Sequence, residues 1–285
     1  MGQSKLFQGT IPVSISSPWL GDSSSAGAPT AVVPRDAENR LEAHVSNADS
    51  PGLTGFSGRV ALVTGAGRGI GKRIAEVLRD LGADVVATDL RSPEIDGVLG
   101  VEMDVADEAQ VEAGFFRIER ELGTAEILVL NAGILRLEKL EETTLESWRT
   151  TLDINLTGSF LVARRALGPM RQKRYGRIVG IGSSAGKTGG SSPAAAYAAS
   201  KAGLMVLMKA IAVEYASAGI TANALAPALI ETEMMRGIAQ FAERIPVGRT
   251  GTPDDVAWAA AFLCSAQAGF ITGEVVDVNG GFLID

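Results

Sequence analysis

Short runs of apolar, mostly β-branched residues alternate with longer helical patterns over most of the chain. Continuous apolar runs are typical of strands buried on both faces, and the helical patterns between them are long enough to connect parallel strands. The sequence therefore predicts an α/β fold with a single doubly wound parallel sheet and helices on both of its faces. The predicted strands are 60–63, 85–87, 127–130, 178–179, 220–225 and 275–276, and the predicted helices are 70–81, 111–122, 148–170, 194–217 and 253–264.

Composition and charge restrict the classes of protein that the sequence can represent. The 285 residues are 46% hydrophobic, which is enough apolar material for one large core. A net charge of −7 provides no overall positive field, so nucleic acid is not expected as a partner. The sequence contains no run of 18 apolar residues, and we expect no membrane span.

Residues 1–57 differ in character from the rest of the chain. They are rich in Ser, Gly and Pro, and their hydrophobic residues follow no period, whereas 58–285 is periodic throughout. We therefore expect a flexible N-terminal extension at 1–57 and a folded domain at 58–285. A targeting or docking role for the extension is the alternative, although it lacks the basic start and apolar core of a secretion signal.

The scarcity of histidine and cysteine limits the available chemistry. The only histidine, His44, lies in the extension, so acid–base work falls to Tyr, Lys or carboxylates, and no metal site is expected. The only cysteine, Cys264, can form no internal disulfide, which suits a reducing compartment such as the cytoplasm.

A glycine-rich turn follows the first predicted strand. Gly65, Gly67, Gly69 and Gly71 surround the point at which a helix begins near Ile70. Glycines here let the backbone approach the pyrophosphate of a dinucleotide, which then binds free N–H groups at the helix N-terminus. Such a turn alone is equally typical of an ordinary strand-to-helix connection.

Asp89 closes the second predicted strand. A carboxylate there would accept hydrogen bonds from the adenosine ribose and repel a 2′-phosphate, which favours NAD over NADP. Arg68 and Arg91 argue for the alternative, because either guanidinium could bind that phosphate. We predict NAD as the cofactor, with NADP possible.

Tyr197 and Lys201 lie four residues apart on a predicted helix, so both side chains project from the same face. A phenol with an ordinary pKa near 10 is a poor base at neutral pH, and an ammonium about 5 Å away stabilises the phenolate by roughly 3 kcal/mol. We therefore expect Lys201 to lower the pKa of Tyr197. The pair alone is more typical of a surface helix.

Taken together, these motifs resemble the classical short-chain dehydrogenases/reductases, and the resemblance covers residues 58–285. It implies a Rossmann fold and an NAD(P)-dependent oxidoreductase that moves hydride between nicotinamide and a secondary alcohol or ketone. The motifs that carry it are, in order, the glycine-rich turn, 131–133, Asn155, Ser183 and 197–201, followed by 220–223 with Pro227 and by 271–273 with 280–281.

The resemblance assigns catalytic roles to four residues. A tyrosine in the place of Tyr197 donates or removes the hydroxyl proton of the substrate, and a lysine in the place of Lys201 lowers the phenol pKa and binds the nicotinamide ribose. Ser183 would hydrogen-bond the substrate oxygen. Asn155 would hold a water that relays protons from Lys201.

The position of the serine has an alternative. Counting back from Gly186, the family pattern selects Ser183, whereas the usual interval before Tyr197 selects Ser184. We predict Ser183, with one extra residue in the following loop.

The resemblance also implies which residues hold the dinucleotide. Asn131, Ala132 and Gly133 would line the adenosine ribose beside Asp89, Asp104 the adenine, Lys201 the nicotinamide ribose, and the backbone from Pro227 to Ile230 the carboxamide, with Thr232 nearby. The other predicted cofactor-binding residues are Gly65, Arg68, Gly69, Ile70, Gly71, Val105 and Tyr197.

An apolar segment at 229–241 lies where this family places its substrate lid. It predicts a small alcohol or ketone substrate of fairly apolar character, with packing or an interface as the alternative. The helix that carries Tyr197 is apolar almost all round, which suggests a partner subunit, and the resemblance adds that a homotetramer is common. The apolar residues of the segment are Leu229, Ile230, Met234, Met235, Ile238 and Phe241.

Other functions stay open. One is a 3-oxoacyl-carrier-protein reductase that uses NADPH, whose acidic carrier could dock on the basic run 171–177; a solvated helix end explains that run as well. Another is a non-catalytic dinucleotide-sensing protein, and a third is an assembly protein that acts through its extension.

Overall fold

The computed structural model describes residues 52–190, 192–233 and 242–284. The extension up to residue 51, including His44, lies outside the described residues. So do Met234, Met235, Ile238 and Phe241 of the predicted substrate lid. The expectations for these segments stay predictions.

Parallel strands form one sheet in the described part of the chain, and helices cover both of its faces, so the predicted doubly wound α/β fold of Rossmann type is confirmed. The strands are β1 (Val60–Thr64), β2 (Asp84–Asp89), β3 (Leu99–Glu102), β4 (Ala125–Leu130), β5 (Gly176–Ile181), β6 (Ile220–Pro227) and β7 (Val275–Val278). Their order across the sheet is β3-β2-β1-β4-β5-β6-β7, and the direction of winding changes between β1 and β4. Ligands of such sheets bind in the crevice at this point.

The connections between the strands are helical. The helices are α1 (Gly69–Asp80), α2 (Glu108–Glu121), α3 (Leu145–Leu152), α4 (Gly158–Lys173), α5 (Ser184–Thr188), α6 (Ala195–Tyr215) and α7 (Pro253–Cys264), with a π-helical turn (Asp153–Thr157) between α3 and α4 and 3₁₀ turns at Ala216–Ala218 and Ala266–Ala268.

The sequence prediction missed two elements and one irregularity. β3 is a short edge strand in which only Val101 of four residues is buried, so no apolar run marks it. α5 has five residues, too few for a helical period to be recognised. The helix predicted as continuous over 148–170 contains the π-turn, which hydrophobic periodicity does not reveal.

The sheet separates two hydrophobic cores, because successive residues of a strand point to opposite faces. In β1, Val60 and Leu62 belong to the first core and Ala61 and Val63 to the second. α2, α4 and α6 pack on the first face, and α1 and α7 pack on the second. Burial on both faces is the reason that the central strands consist of continuous apolar runs.

Residues 53–57, which the sequence analysis assigns to the extension, pack against the sheet domain. Phe56 is 1% exposed and belongs to the second core. The carbonyl oxygen of Thr54 accepts a hydrogen bond from the Ala266 N–H at 2.9 Å. These residues therefore fold together with the domain.

The basic run at 171–177 does not form one exposed surface. Arg177 lies in β5, is 8% exposed and stacks on the ring of Tyr175 at 4.4 Å from the centroid. Lys173 pairs with Glu126 at 3.5 Å. The interpretation of the run as a single solvated or docking patch is therefore wrong for Arg177, which the strand carries into the interior.

Among the described residues, one helical stretch, Ala195–Ala218, is long and apolar enough to cross a membrane by length and composition. Half of its most apolar window is buried inside the fold. Because α6 lies within this stretch and packs on the sheet, we interpret it as a core helix.

Candidate active site

A crevice of about 770 Å³ lies at the carboxyl ends of the central strands. The glycines of the turn, Arg68, Asp89, Asp104, Val105, Ala132 and Asn155 are not part of its lining. The predicted site residues that line it are Ile70, Asn131, Gly133, Ser183, Tyr197, Lys201, Pro227, Ile230 and Thr232. The sheet thus brings together residues that are up to 162 positions apart in the sequence.

The turn after β1 has the conformation that its glycines predict. Gly65 and Gly69 have φ angles of +62° and +57°, a region that other residues rarely adopt. α1 begins at Gly69, and Arg68 before it makes no side-chain cap. The N–H groups of the first helical turn are therefore available to an anion such as a pyrophosphate.

Asn131 fixes the turn from the end of β4. Its side-chain Nδ2 donates to the carbonyl oxygens of Thr64 and Gly65, both at 2.9 Å. A Cβ on Gly71 would lie 2.4 Å from Asn131 Nδ2 and 2.4 Å from Gly65 O. The absence of a side chain at Gly71 is thus required for the turn, the helix and β4 to meet, which is the cradle that a dinucleotide needs.

Asp89, at the end of β2, is held against the same turn. One carboxylate oxygen accepts from the Gly67 N–H at 2.9 Å and the other from the Leu90 N–H at 2.8 Å. Arg68, one of the two arginines that could bind a 2′-phosphate, pairs instead with Glu233 at 3.1 Å.

Asp104 and Val105, two neighbouring residues predicted to bind the cofactor, differ in their surroundings. Asp104 Oδ1 accepts from the Ala106 N–H at 2.9 Å within its own turn. The side chain of Val105 is 6% exposed and belongs to the first core, where it lies against Gly158. Only the backbone of Val105 is therefore available to a ligand.

Ser183 lies between β5 and α5 and is 9% exposed. Its Oγ accepts from the Ala185 N–H at 3.1 Å and so caps α5, and the side chain also hydrogen-bonds Tyr197. Ser184 lines the crevice too, but its carbonyl accepts from Thr188 within the short helix. The bond to Tyr197 favours Ser183 of the two predicted candidates.

Burial determines the ionisation of Tyr197 and Lys201. Desolvation raises the pKa of Tyr197, and the hydrogen bond with Ser183 acts in the opposite direction. Desolvation also lowers the pKa of Lys201 to about 8. The Lys201 Nζ donates to the Ile181 carbonyl at 2.7 Å and lies 5.8 Å from the Tyr197 ring centroid. Burial therefore places the pKa of Tyr197 above its ordinary value in this structure, and the expected lowering of that pKa by Lys201 stays a prediction.

Asn155 lies in the π-turn and is fully buried. Its side-chain oxygen accepts from the Ile134 N–H at 2.8 Å, and its Nδ2 donates to Ile134 O at 3.0 Å and to Ser200 Oγ at 2.9 Å. The side-chain amide is thus committed to protein partners, and the predicted relay of protons through a water stays a prediction.

Two contributors were missed by the sequence analysis. Ser200 Oγ donates to the Tyr197 carbonyl at 2.7 Å and accepts from Asn155, so it links the π-turn to the helix that carries the tyrosine. The Ile181 carbonyl holds Lys201. Ser200 could have been found from its place in the Tyr-Ala-Ala-Ser-Lys motif, but a backbone acceptor leaves no signal in a sequence.

Comparison with known proteins decides the family. A family model described as enoyl-(acyl carrier protein) reductase matches residues 65–283. The 3-oxoacyl-[acyl-carrier-protein] reductase FabG of Escherichia coli is 42% identical over 239 residues, which cover 79% of this chain and 98% of that relative. The chain belongs to the short-chain dehydrogenase/reductase family.

Other members of the short-chain dehydrogenase/reductase family support this assignment. The reductase MabA of Mycobacterium avium, which carries the same enzyme name as FabG, is 42% identical over 235 residues, 81% of this chain and 92% of that relative. The solved structure of aldohexose dehydrogenase from Thermoplasma acidophilum has a TM-score of 0.78 at 34% identity and covers 81% of this chain and 96% of that one. The solved structure of levodione reductase has a TM-score of 0.75 at 32% identity and covers 80% of this chain and 98% of that one. The protein is therefore an oxidoreductase that interconverts CH–OH and C=O groups with a nicotinamide cofactor.

Gly71→Ala tests the cradle. The added methyl group would overlap Asn131 and the Gly65 carbonyl, so we expect dinucleotide affinity to fall at least about tenfold, measured by titration of NADH and NADPH fluorescence. Gly168→Ala in α4 is the matched control, because its Cβ would meet nothing within 4 Å and should leave the affinity unchanged. Equal affinities in Gly71→Ala and in the parent would contradict the assignment of the turn.

Proposed function

We propose that this enzyme reduces the ketone of a 3-oxoacyl thioester, with Tyr197, Ser183, Lys201 and Asn155 as the site. The observation that carries the proposal is the crevice itself, in which Tyr197 and Ser183 face apolar walls. Relatives named 3-oxoacyl-[acyl-carrier-protein] reductase at 42% identity support this substrate class. The apolar side chains of the walls include Leu135, Leu137, Leu229, Ile230 and Phe282.

The residues of the glycine-rich turn and of the inner wall of the crevice would hold the dinucleotide. When bound, its nicotinamide supplies or accepts hydride at C4. Gly65, Gly69 and Gly71 hold the pyrophosphate at the start of α1. On the nicotinamide side, Lys201 would hold the ribose, and the segment from Pro227 to Thr232 would contact the carboxamide.

Tyr197 is the proton donor of the reduction. Because burial raises its pKa, the phenol is protonated at neutral pH and can transfer its proton to the forming alkoxide oxygen. The Ser183 hydroxyl donates a hydrogen bond to the same oxygen and stabilises its negative charge. The reverse reaction uses the same two groups with the proton moving back to the phenolate.

Lys201 restores the proton of the phenol. With a pKa of about 8, its ammonium exchanges protons near neutral pH, whereas an ordinary lysine would hold its proton too tightly. The bond to the Ile181 carbonyl keeps the amine on the inner side of the crevice. Asn155 positions the loop that carries Ile134 beside it.

Tyr197→Phe tests this assignment. Removal of the hydroxyl leaves the crevice intact, so we expect NADH binding to persist while turnover of acetoacetyl-coenzyme A falls about 100-fold or more. Tyr215→Phe, at the end of the same helix, is the control and should match the parent. Absorbance at the nicotinamide band measures the turnover of both variants, and NADH fluorescence measures binding. Parental turnover in Tyr197→Phe would refute the proton transfer, and an inactive parent that only binds dinucleotide would leave the sensing function.

A second candidate is the oxidation of a free alcohol. It is favoured by the likeness to aldohexose dehydrogenase at 34% identity. The same assay discriminates the two, since a panel of hexoses and small cyclic ketones run beside acetoacetyl-coenzyme A shows which class is turned over. Deletion of residues 1–51 in that assay shows whether the extension contributes to either.

We propose NAD as the preferred dinucleotide. Two contacts support this preference: the Gly67 N–H holds the Asp89 carboxylate at the end of β2, where it would meet an adenosine ribose, and Arg68 pairs with Glu233. Asp89→Ala removes the negative charge that opposes a 2′-phosphate, so the ratio of kcat/KM for NADPH to that for NADH should rise about tenfold or more. Asp84→Ala, at the other end of β2, is the control. An unchanged ratio in Asp89→Ala would count against this preference.

We propose a homotetramer in the cytoplasm. Val206 and Val213 are 63% and 85% exposed on α6, and Trp258 and Phe262 are exposed on α7, so two helices present apolar side chains outward. Light scattering should give four times the chain mass of 29.6 kDa. A fully active species of one chain mass would contradict the tetramer.

The buried thiol Cys264 suits a reducing compartment.

A further inference from the structure

An ion pair connects the short helix behind Ser183 to the edge of the sheet. The Lys187 Nζ lies 2.6 Å from Asp277 Oδ2, and the two side chains are 19% and 23% exposed. Lys187 belongs to α5, which begins directly after Ser183, and Asp277 belongs to β7. The contact therefore joins residues 90 positions apart, and neither of them lines the crevice itself.

Asp277 lies next to β6, the strand whose last residue, Pro227, lines the crevice. Asp277 pairs in register with Ala226 of β6, one residue before Pro227. The Ala228 N–H donates to the Val278 carbonyl at 3.2 Å, so β7 also supports the segment that follows Pro227. The ion pair thus connects the helix behind Ser183 to β7, the strand that pairs with the end of β6 and supports the segment after Pro227.

The strength of the link follows from its burial. Asp277 Oδ1 is buried and has no hydrogen-bond partner in the described part of the chain, so the carboxylate depends on Lys187 for compensation of its charge. A pair that is four-fifths buried is also screened less by water and salt than a surface pair. Loss of Lys187 would leave the Asp277 carboxylate poorly compensated and would remove a tether between α5 and β7.

A displacement of α5 would also displace Ser183, which lies at the N-terminus of this helix. The serine is the N-cap of that helix through the Ala185 N–H, and the same side chain hydrogen-bonds Tyr197. On its other side, α5 packs so closely on α6 that a Cβ on Gly186 would lie 2.7 Å from the Ala202 backbone nitrogen. A helix of five residues has little rigidity of its own, so its external contacts determine its orientation.

We propose that the Lys187–Asp277 pair is a positioning device that holds Ser183 in hydrogen-bonding distance of Tyr197 and of the substrate oxygen. This inference rests on the proposed role of Ser183. Neither Lys187 nor Asp277 contacts the reacting atoms. Their effect on turnover is therefore transmitted through α5 and should disappear when the serine hydroxyl is removed.

Lys187→Met tests the device, because it keeps the aliphatic stem and removes the charge. With acetoacetyl-coenzyme A and NADH we expect kcat to fall about tenfold while the NADH dissociation constant changes less than about twofold, since misplacement of a reacting group lowers rate more than cofactor binding. Lys187→Arg should recover most of the parental kcat. Lys209→Met, an exposed lysine near the same edge of the sheet, is the matched control and should match the parent.

Two further measurements separate positioning from general stability. In the Ser183→Ala background, Lys187→Met should change kcat less than about twofold, because the group that it positions is gone. Hydrogen–deuterium exchange of the peptide that covers 183–188 should be faster in Lys187→Met than in the parent, with exchange elsewhere unchanged. The exchange measurement needs no substrate and tests the link even if the parent is inactive on this probe.

The possible failures are distinguishable. Parental turnover in Ser183→Ala would overturn the proposed role of the serine. If Ser183→Ala is impaired but Lys187→Met has parental kcat and parental exchange, the positioning inference is overturned and the proposed function stands. An equal loss from Lys187→Met in both backgrounds, or a parallel loss of NADH affinity, would likewise overturn it.

Discussion

The burial of the Lys201 ammonium is the constraint on which the site depends. A charged side chain with 4% exposure needs a compensating acceptor, and the Ile181 carbonyl at the end of β5 provides it at 2.7 Å. The bond anchors α6 to the sheet at the position where Tyr197 and Ser183 meet. Desolvation lowers the lysine pKa and raises the tyrosine pKa, so two groups with shifted pKa values line the same crevice.

A network of buried hydrogen bonds connects the helix that carries Tyr197 and Lys201 to neighbouring elements of the domain. Asn155 in the π-turn binds Ile134 after β4 and Ser200 on α6, and Ser200 binds the carbonyl of Tyr197. A buried network in which the members are paired specifies one arrangement, because any displacement leaves an unpaired polar group in the interior. The π-turn places Asn155 at the centre of these contacts, which is a common use of such irregular turns.

The cofactor side depends on close backbone approach rather than on charge. Gly71 lets α1, the turn and β4 meet at distances that a methyl group would prevent, and Asn131 holds the turn by two hydrogen bonds. Asp89 is fixed by the turn through the Gly67 N–H. The turn therefore presents oriented N–H groups at the start of α1, and the same backbone sets the orientation of the Asp89 carboxylate beside them.

The alternation of apolar runs and helical periods was sufficient to predict the parallel sheet, because burial on both faces requires it, and the helix 253–264 was predicted to the residue. The family resemblance placed Ser183, Tyr197 and Lys201 in one site, and the glycine pattern placed the cofactor turn. The edge strand β3, the five-residue α5 and the π-turn left no periodic signal, so only the folded chain reveals them. The burial that raises the pKa of Tyr197 was decided by tertiary structure, since the sequence shows that a lysine is near but not that both groups are buried. Tertiary structure also decided that the Ile181 carbonyl accepts from Lys201 and that Lys187 pairs with Asp277, because both contacts depend on packing between elements distant in the chain.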